Sequence, residues 1–159
     1  MDFTIRKATK EDMPAVLALI KQLAEFEKEP DAVLVTVEDL VSDGFGEQPA
    51  FFCYVAEVAN KVEGIALGYN RYSTWKGKII HLEDLIVNTE LRGSGIGSAL
   101  LDAIVKHGYE MGVKRINWEV LDWNEPAIKF YESKGANVMR DWDVVQMNEE
   151  SIKNYVAKL

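Results

Sequence analysis

The sequence predicts a mixed α/β domain. Three observations predict it. Strand-like segments separated by tight turns form a β-meander in the middle of the chain. Stripes of apolar residues at helical spacing lie on both sides of that meander. Strand and helix then alternate, joined once by a glycine-rich loop.

Phe3-Thr4-Ile5-Arg6 alternates and reads as an opening strand. Thr9 followed by Asp12 marks a helix start, and Val16, Leu17, Leu19, Ile20 and Leu23 continue one apolar face until Pro30 approaches. Thr36 with Asp39 repeats the start signal for a shorter helix, closed by Gly44. The meander comprises strands over 51–58, over 62 to about 72, and over 78–87, turned by Ala59-Asn60-Lys61 and by Gly77. Ala99, Leu100, Ala103, Ile104 and His107 mark the long helix that Gly112 ends. A strand over 115–121 follows. Asn124 caps the next helix, with Glu125 and Pro126 in its first turn and Gly135 closing it. A final strand is expected over 143–147, then a short polar helix. The order is β-α-α-β-β-β-α-β-α-β before that last helix.

A chain of 159 residues with 48% hydrophobic residues suits one domain spanning residues 1–159. No apolar run approaches a membrane span, and Met1-Asp2-Phe3-Thr4 lacks the features of a signal peptide, so a cytoplasmic protein is expected. The single cysteine, Cys53, reads as a buried strand residue. His81 and His107 have no ligand spacing around them, so no metal site is predicted. Lys and Arg total 18 against 26 Asp and Glu, a net charge of -8. That balance argues against nucleic acid and suits a cationic substrate.

The segment with most chemical content runs from His81 to Ser98: an apolar strand, a turn, and Arg92-Gly93-Ser94-Gly95-Ile96-Gly97-Ser98 entering a helix. Backbone N–H groups without helical partners, at the positive end of a helix dipole, form a seat for phosphate. A Walker loop needs Gly-Lys-Ser/Thr, whereas Gly97 is followed by Ser98 and Ala99. A dinucleotide fingerprint needs glycine at its sixth place, where Ser98 stands. Arg92-x-x-Gly95-x-Gly97 remains. The competing structural account is a glycine turn that lets a helix pack close to a strand.

That loop resembles the coenzyme A loop of the GNAT superfamily of N-acetyltransferases. Ile5-Arg6-Lys7-Ala8-Thr9 at the start, and Trp123-Asn124-Glu125-Pro126-Ala127 followed by Phe130-Tyr131, fall in GNAT order. Asp43-Gly44-Phe45-Gly46-Glu47 and Leu82-Glu83-Asp84 are similar to the spermidine/spermine N-acetyltransferase branch. Ser73-Thr74-Trp75-Lys76-Gly77 and Leu121-Asp122-Trp123-Asn124 are closer to its thialysine sister branch. The polyamine enzymes carry Asp-Pro where Ser73 and Thr74 stand, which moves the expected substrate from spermidine and spermine toward lysine-like amines or short diamines.

The resemblance implies a mostly antiparallel central sheet flanked by helices, acetyl-CoA as co-substrate, and a homodimer. It implies that Leu85, Ile86 and Val87 pair with the pantetheine arm. Arg92, Gly93, Ser94, Gly95, Ile96, Gly97 and Ser98 hold the pyrophosphate, with Arg92 on phosphate or capping the turn. Asn124, Glu125, Pro126, Ala127 and Tyr131 line the rest of the coenzyme. Phe26, Glu27, Glu83, Asn117, Trp118 and Glu119 meet the substrate, and Trp75 with Trp118 is a candidate for stacking on its cationic chain, with core packing as the alternative for both. Tyr131 is the implied general acid, and Glu83 is implicated in deprotonating the amine through water.

An alkyl amine has a pKa of about 10.4 and a glutamate about 4.3, so Glu83 serves better as an anchor and relay to water than as a direct base. Tyr131, a phenol near pKa 10, needs help to protonate a thiolate whose acid lies near 8.5, and a helix terminus that lowers its pKa is the expected aid. Packing beside Phe130 is its alternative role. Glu83 and Asp84 are adjacent on a strand and point to opposite faces unless a bulge intervenes. For Asp84 a salt bridge or buried hydrogen bond stands as an equal alternative to a direct role. Two rival functions stand beside small-amine acetylation: acetylation of a protein N-terminus or lysine, and a coenzyme A-binding regulatory module without turnover.

Overall fold

The computed structural model describes residues 1–159. Its contacts divide the chain into two compact units, Met1–Glu119 and Val120–Leu159.

The first unit carries a five-stranded sheet in chain order: β1 (Thr4–Lys7), β2 (Phe52–Val58), β3 (Lys61–Ser73), β4 (Gly77–Val87) and β5 (Ile116–Asn117). The first four strands are antiparallel to their neighbours, and β5 joins β4 parallel. The expected mixed, mostly antiparallel sheet is therefore present. Helices α1 (Met13–Phe26), α2 (Val37–Phe45) and α3 (Ile96–Met111) belong to the same unit.

Helix α1 forms because Pro14 sits in its first turn, where proline costs no hydrogen bond, and because Met13, Val16, Leu17 and Leu19 share one buried stripe. A 3-10 turn at Lys10–Asp12 precedes it, and Thr9 and Asp12 make the expected reciprocal cap there. Arg6 fixes this entry. Its guanidinium meets Asp12 at 2.7 and 3.0 Å and Glu57 at 2.7 and 3.0 Å, tying β1, the turn and β2 together. Helix α2 opens on a Thr36–Asp39 capping box and runs one residue past Gly44 to Phe45, with Gly46 following.

Helices α1 and α2 cover one face of the sheet, packing on Cys53, Val55, Ile65, Leu67 and Ile86. Alternation sends Gly64 to the other face, where it meets Leu100 and Ile96 of α3. An ideal Cβ on Gly64 would stand 3.0 Å from Leu100 Cδ1 and 3.1 Å from the Ile86 carbonyl, so glycine permits this close approach. Cys53 is buried and its thiol is pushed up to about 12 by loss of solvent, as expected of an inert strand residue.

The second unit holds α4 (Glu125–Ser133) and α5 (Glu149–Val156). Asn124 caps α4 by accepting from the Ala127 N–H at 3.4 Å. Two strand expectations need correction. The strand expected over 115–121 is only Ile116–Asn117. The strand expected over 143–147 does not form: residues 143–147 have no strand pairing, and Val144, Val145 and Met147 are 61%, 90% and 52% exposed. The two valines are adjacent rather than alternate, so the segment has no one-sided apolar face to hold it in a ladder.

Candidate active site

The site is built around an interruption of β4. Gly68 pairs with Leu82 and Leu67 pairs with Asp84, so Glu83 is an extra residue with no partner on β3. This is a β-bulge, a device that re-aims side chains. It decides which face of the sheet each acid takes. Leu67 belongs to the face covered by α1, so Asp84 opposite it lies on that face too. His81 pairs with Tyr69, two residues along β3 from Leu67, and shares the face. Glu83 Oε2 reaches His81 Nε2 at 3.4 Å. Both consecutive carboxylates therefore serve the α1 side.

Glu27, at the C-terminal end of α1, completes an acidic group. Asp84 is half-buried, and its carboxyl is pushed up to about 6, first by loss of solvent and then by the charges of Glu83 and Glu27. Burial also raises the Glu27 carboxyl. Phe26 beside it lies under the Arg92 guanidinium, 4.9 Å from the ring centroid, so Arg92 packs against α1 at the base of the loop.

Beyond the bulge, β4 has one open edge. Its pairing with β5 is confined to Ile80 with Ile116 and His81 with Asn117. Leu85, Ile86 and Val87 thus keep free backbone groups along that side while β3 pairs the other. The Ile86 side chain is buried in the core, so only its backbone is available to a ligand.

The chain then turns through a 3-10 segment, Thr89–Leu91, capped by Asn88 Oδ1 accepting from the Glu90 N–H. Asn88 Nδ2 donates to Glu63 at 2.6 Å, which pins this turn to β3. Gly93 and Gly95 have φ of +78° and +91°, in the left-handed region that favours glycine. Ser94 Oγ donates to the Leu91 carbonyl at 2.6 Å and ties the loop across itself. The first bond of α3 runs from the Ala99 N–H to the Gly95 carbonyl at 3.1 Å. The N–H groups of Ile96, Gly97 and Ser98 precede it at the helix start and have no intrahelical partner. This geometry fits an anionic group such as pyrophosphate. Ile96 itself is fully buried, so it offers its N–H and not its side chain.

Other predicted residues are distributed less evenly. Asn117 lies next to β4, but its Nδ2 stands 2.9 Å from His81 Nδ1, making it a support for the histidine. Trp118 is half-buried just after it and Glu119 is exposed. Trp75 is 80% exposed in the β3–β4 turn. Glu83 lies six residue steps along β4 from Gly77, roughly 20 Å at strand rise. The structure does not gather Trp75 with the acidic group. In the second unit, Glu125, Pro126 and Ala127 form the first turn of α4 after Asn124. Tyr131 is half-buried beside Phe130, with ring centroids 5.4 Å apart. It lies in the last turn of α4, whose dipole end is negative and does not favour a phenolate, so α4 does not supply the expected help.

Sequence reasoning missed His81. It is 6% exposed, the sole buried polar side chain of the core, and contacts Glu83, Asn117 and the Tyr69 ring. A histidine two residues before an acid on a predicted strand was the available signal, since such residues share a face. The chain holds no group of three or more His, Cys, Asp or Glu residues placed to bind a metal ion. No helix is long and apolar enough to cross a membrane.

The site thus brings together a bulged strand with an open edge, a helix start whose geometry fits an anionic group, and a carboxylate cluster. The Acetyltransferase (GNAT) family matches residues 15–136, and the chain belongs to that family, which uses acetyl-CoA as co-substrate. It is 41% identical over 140 residues to a thialysine N-epsilon-acetyltransferase of Bos taurus, covering 83% of this chain and 82% of that one. It is 37% identical over 141 residues to the spermidine/spermine N(1)-acetyltransferase-like protein 1 of Homo sapiens, covering 84% of this chain and 20% of that longer protein. In fold it is similar to a V. cholerae integron cassette protein, with a TM-score of 0.80, 23% identity, and 100% and 99% of the two chains covered.

Proposed function

We propose that this acetyltransferase moves the acetyl group of acetyl-CoA to a primary amine of a small, lysine-like or diamine substrate. The observation that carries this reading is the acidic group of Glu27, Glu83 and Asp84 at the bulge, directly before the open β4 edge and the α3 start. The curated relatives named for thialysine support the lysine-like choice over a polyamine.

In this reading Gly93, Ser94, Gly95, Ile96, Gly97 and Ser98 hold the pyrophosphate, with Arg92 beside them. The open edge at Leu85, Ile86 and Val87 pairs with the pantetheine arm, and a backbone N–H there polarises the thioester carbonyl. Asn124, Glu125, Pro126 and Ala127 line the far side of the coenzyme. Glu83 and Glu27 hold the substrate ammonium, with Phe26, Trp118 and Glu119 around it. Glu83 passes one amine proton to water. The neutral nitrogen then forms its bond to the carbonyl carbon as the carbon–sulfur bond breaks, Tyr131 gives its proton to the departing thiolate, and the second nitrogen proton passes to the tyrosinate as the amide forms. The family match runs across both units, which supports one acetyltransferase domain, and we expect that domain to work as a homodimer.

The test is a thiol-release assay with acetyl-CoA across lysine, thialysine, putrescine, cadaverine, spermidine and a lysine-containing peptide. Turnover with thialysine or lysine, at least tenfold above spermidine and above the peptide, is the expected result. Preference for the peptide would transfer the reading to protein acetylation. Coenzyme binding with no turnover on any amine would leave a regulatory module instead.

A further inference from the structure

Glu83 is poorly held by the sheet itself. It is the bulge residue, it has no cross-strand partner, and its side chain is 54% exposed. A free carboxylate there would sample several rotamers and lose the definition needed to aim at one nitrogen. His81, two residues earlier on the same face, is 6% exposed and fixed from three sides. The Tyr69 ring packs on it at 5.1 Å, Asn117 Nδ2 meets its Nδ1 at 2.9 Å, and Arg71 Nη1 approaches the same Nδ1 at 3.5 Å.

Those contacts favour one position for the ring proton. Arg71 is a donor only, and the amide nitrogen of Asn117 is a donor too. Both face Nδ1, which fits Nδ1 as the acceptor and a ring proton on Nε2, the nitrogen that stands at an ion-pair distance of 3.4 Å from Glu83 Oε2. We infer that His81 is a positioning residue for Glu83: an imidazole locked by Asn117 presents its Nε2–H to the bulge carboxylate and aims it at the incoming amine. The pairings His81 with Asn117 and His81 with Tyr69 build this row directly into the register of β3, β4 and β5. The inference rests on the role proposed above for Glu83.

Two measurements test it. The first needs no turnover. The chain has only two histidines, His81 and His107, so a long-range proton–nitrogen correlation spectrum can be assigned with one variant. It should show the His81 proton on Nε2. Glu83→Gln should shift that resonance, and Asn117→Ala should convert it to a mixture of tautomers. A proton on Nδ1, or an Nε2–H resonance unmoved by Glu83→Gln, overturns the inference.

The second is kinetic. His81→Leu should lower kcat/KM for the amine tenfold or more, with the KM for acetyl-CoA changed less than twofold. His81→Gln, whose amide can present an N–H near the Nε2 position, should recover several-fold of that loss. In a Glu83→Gln background His81→Leu should cost less than twofold further. Equal cost in both backgrounds, or no recovery by glutamine, overturns the inference. If His81→Leu does not fold, Asn117→Ala takes its place with the same split expected at a smaller size. Absence of thiol release by the unmodified enzyme with every amine would defeat the proposed function and leave the spectroscopic result to decide the His81–Glu83 coupling.

Discussion

Asp84 stands across the ladder from Leu67, whereas Glu83, the residue before it, stands across from nothing. One inserted residue thus turns two acids that a regular strand would split between its faces into a pair serving the same side. The pair is costly, because two like charges share a partly dry site, and that cost is measurable.

Replacing Asp84 by Asn removes a carboxyl raised to about 6 by burial and by its acidic neighbours. An acid whose folded pKa exceeds its unfolded value of 3.8 contributes stability that is fully present below about 4 and lost as pH rises through 6. The difference of about 2 units corresponds to about 3 kcal/mol. Asp84→Asn is therefore expected to melt higher than the unmodified protein at pH 8, with the gain vanishing by pH 4. Thermal melts across that range check it, and equal melting temperatures at pH 8 would contradict it.

The Arg6–Asp12 pair has the opposite sign. Hydrogen bonds from Arg6 hold the Asp12 carboxyl below its usual 3.8. Its contribution is present above that value and is lost as pH falls through the folded pKa. Asp12→Asn should cost about 1–2 kcal/mol at pH 7, the lower part of the range for bonds to a charged group because Arg6 is partly exposed. Urea unfolding at pH 7 and pH 3 should show the gap shrinking on acidification.

Gly95→Ala should strain the loop. Nothing lies within 4 Å of an added Cβ, so the penalty comes from φ +91° alone, about 1 kcal/mol. Acetyl-CoA affinity should fall with it. Gly97→Ala makes a clean contrast for stability, since its Cβ would meet Val87 Cγ2 at an ordinary 3.6 Å. Calorimetric titration and melting curves separate the two variants.

Tyr131→Phe should reduce kcat tenfold or more with the acetyl-CoA KM little changed, if the phenol supplies the proton to the thiolate. Phenylalanine keeps the ring that packs against Phe130. Wild-type turnover by stopped thiol release would defeat the general-acid role.

The rate of the unmodified enzyme should rise with pH above neutral, because the attacking amine must lose a proton from a pKa of about 10.4. A flat profile from pH 7 to 9, with chemistry rate-limiting, contradicts this.

Much of the fold is legible locally. The Thr36–Asp39 box, the Asn124 cap, the stripe of Val16, Leu17 and Leu19, and the Gly93 and Gly95 loop are signals carried by a few neighbouring residues. Each reads correctly because backbone conformation there depends on groups within one or two turns. The expected strand over 143–147 fails for the converse reason: a strand needs a partner, and propensity does not provide one.

The sequence by itself determined the mixed α/β class, the glycine loop at the start of α3 and the family, because these rest on residue type and spacing along the chain. Only the tertiary structure decided that Glu83 is a bulge, that β4 parts from β5 after His81, and that His81 lies between Asn117 and Glu83. Those features depend on register between strands distant in sequence. A shift of one residue would reverse every side chain involved, so the spacing of His81 and Glu83 hints at a shared face but fixes neither the bulge nor the Asn117 contact.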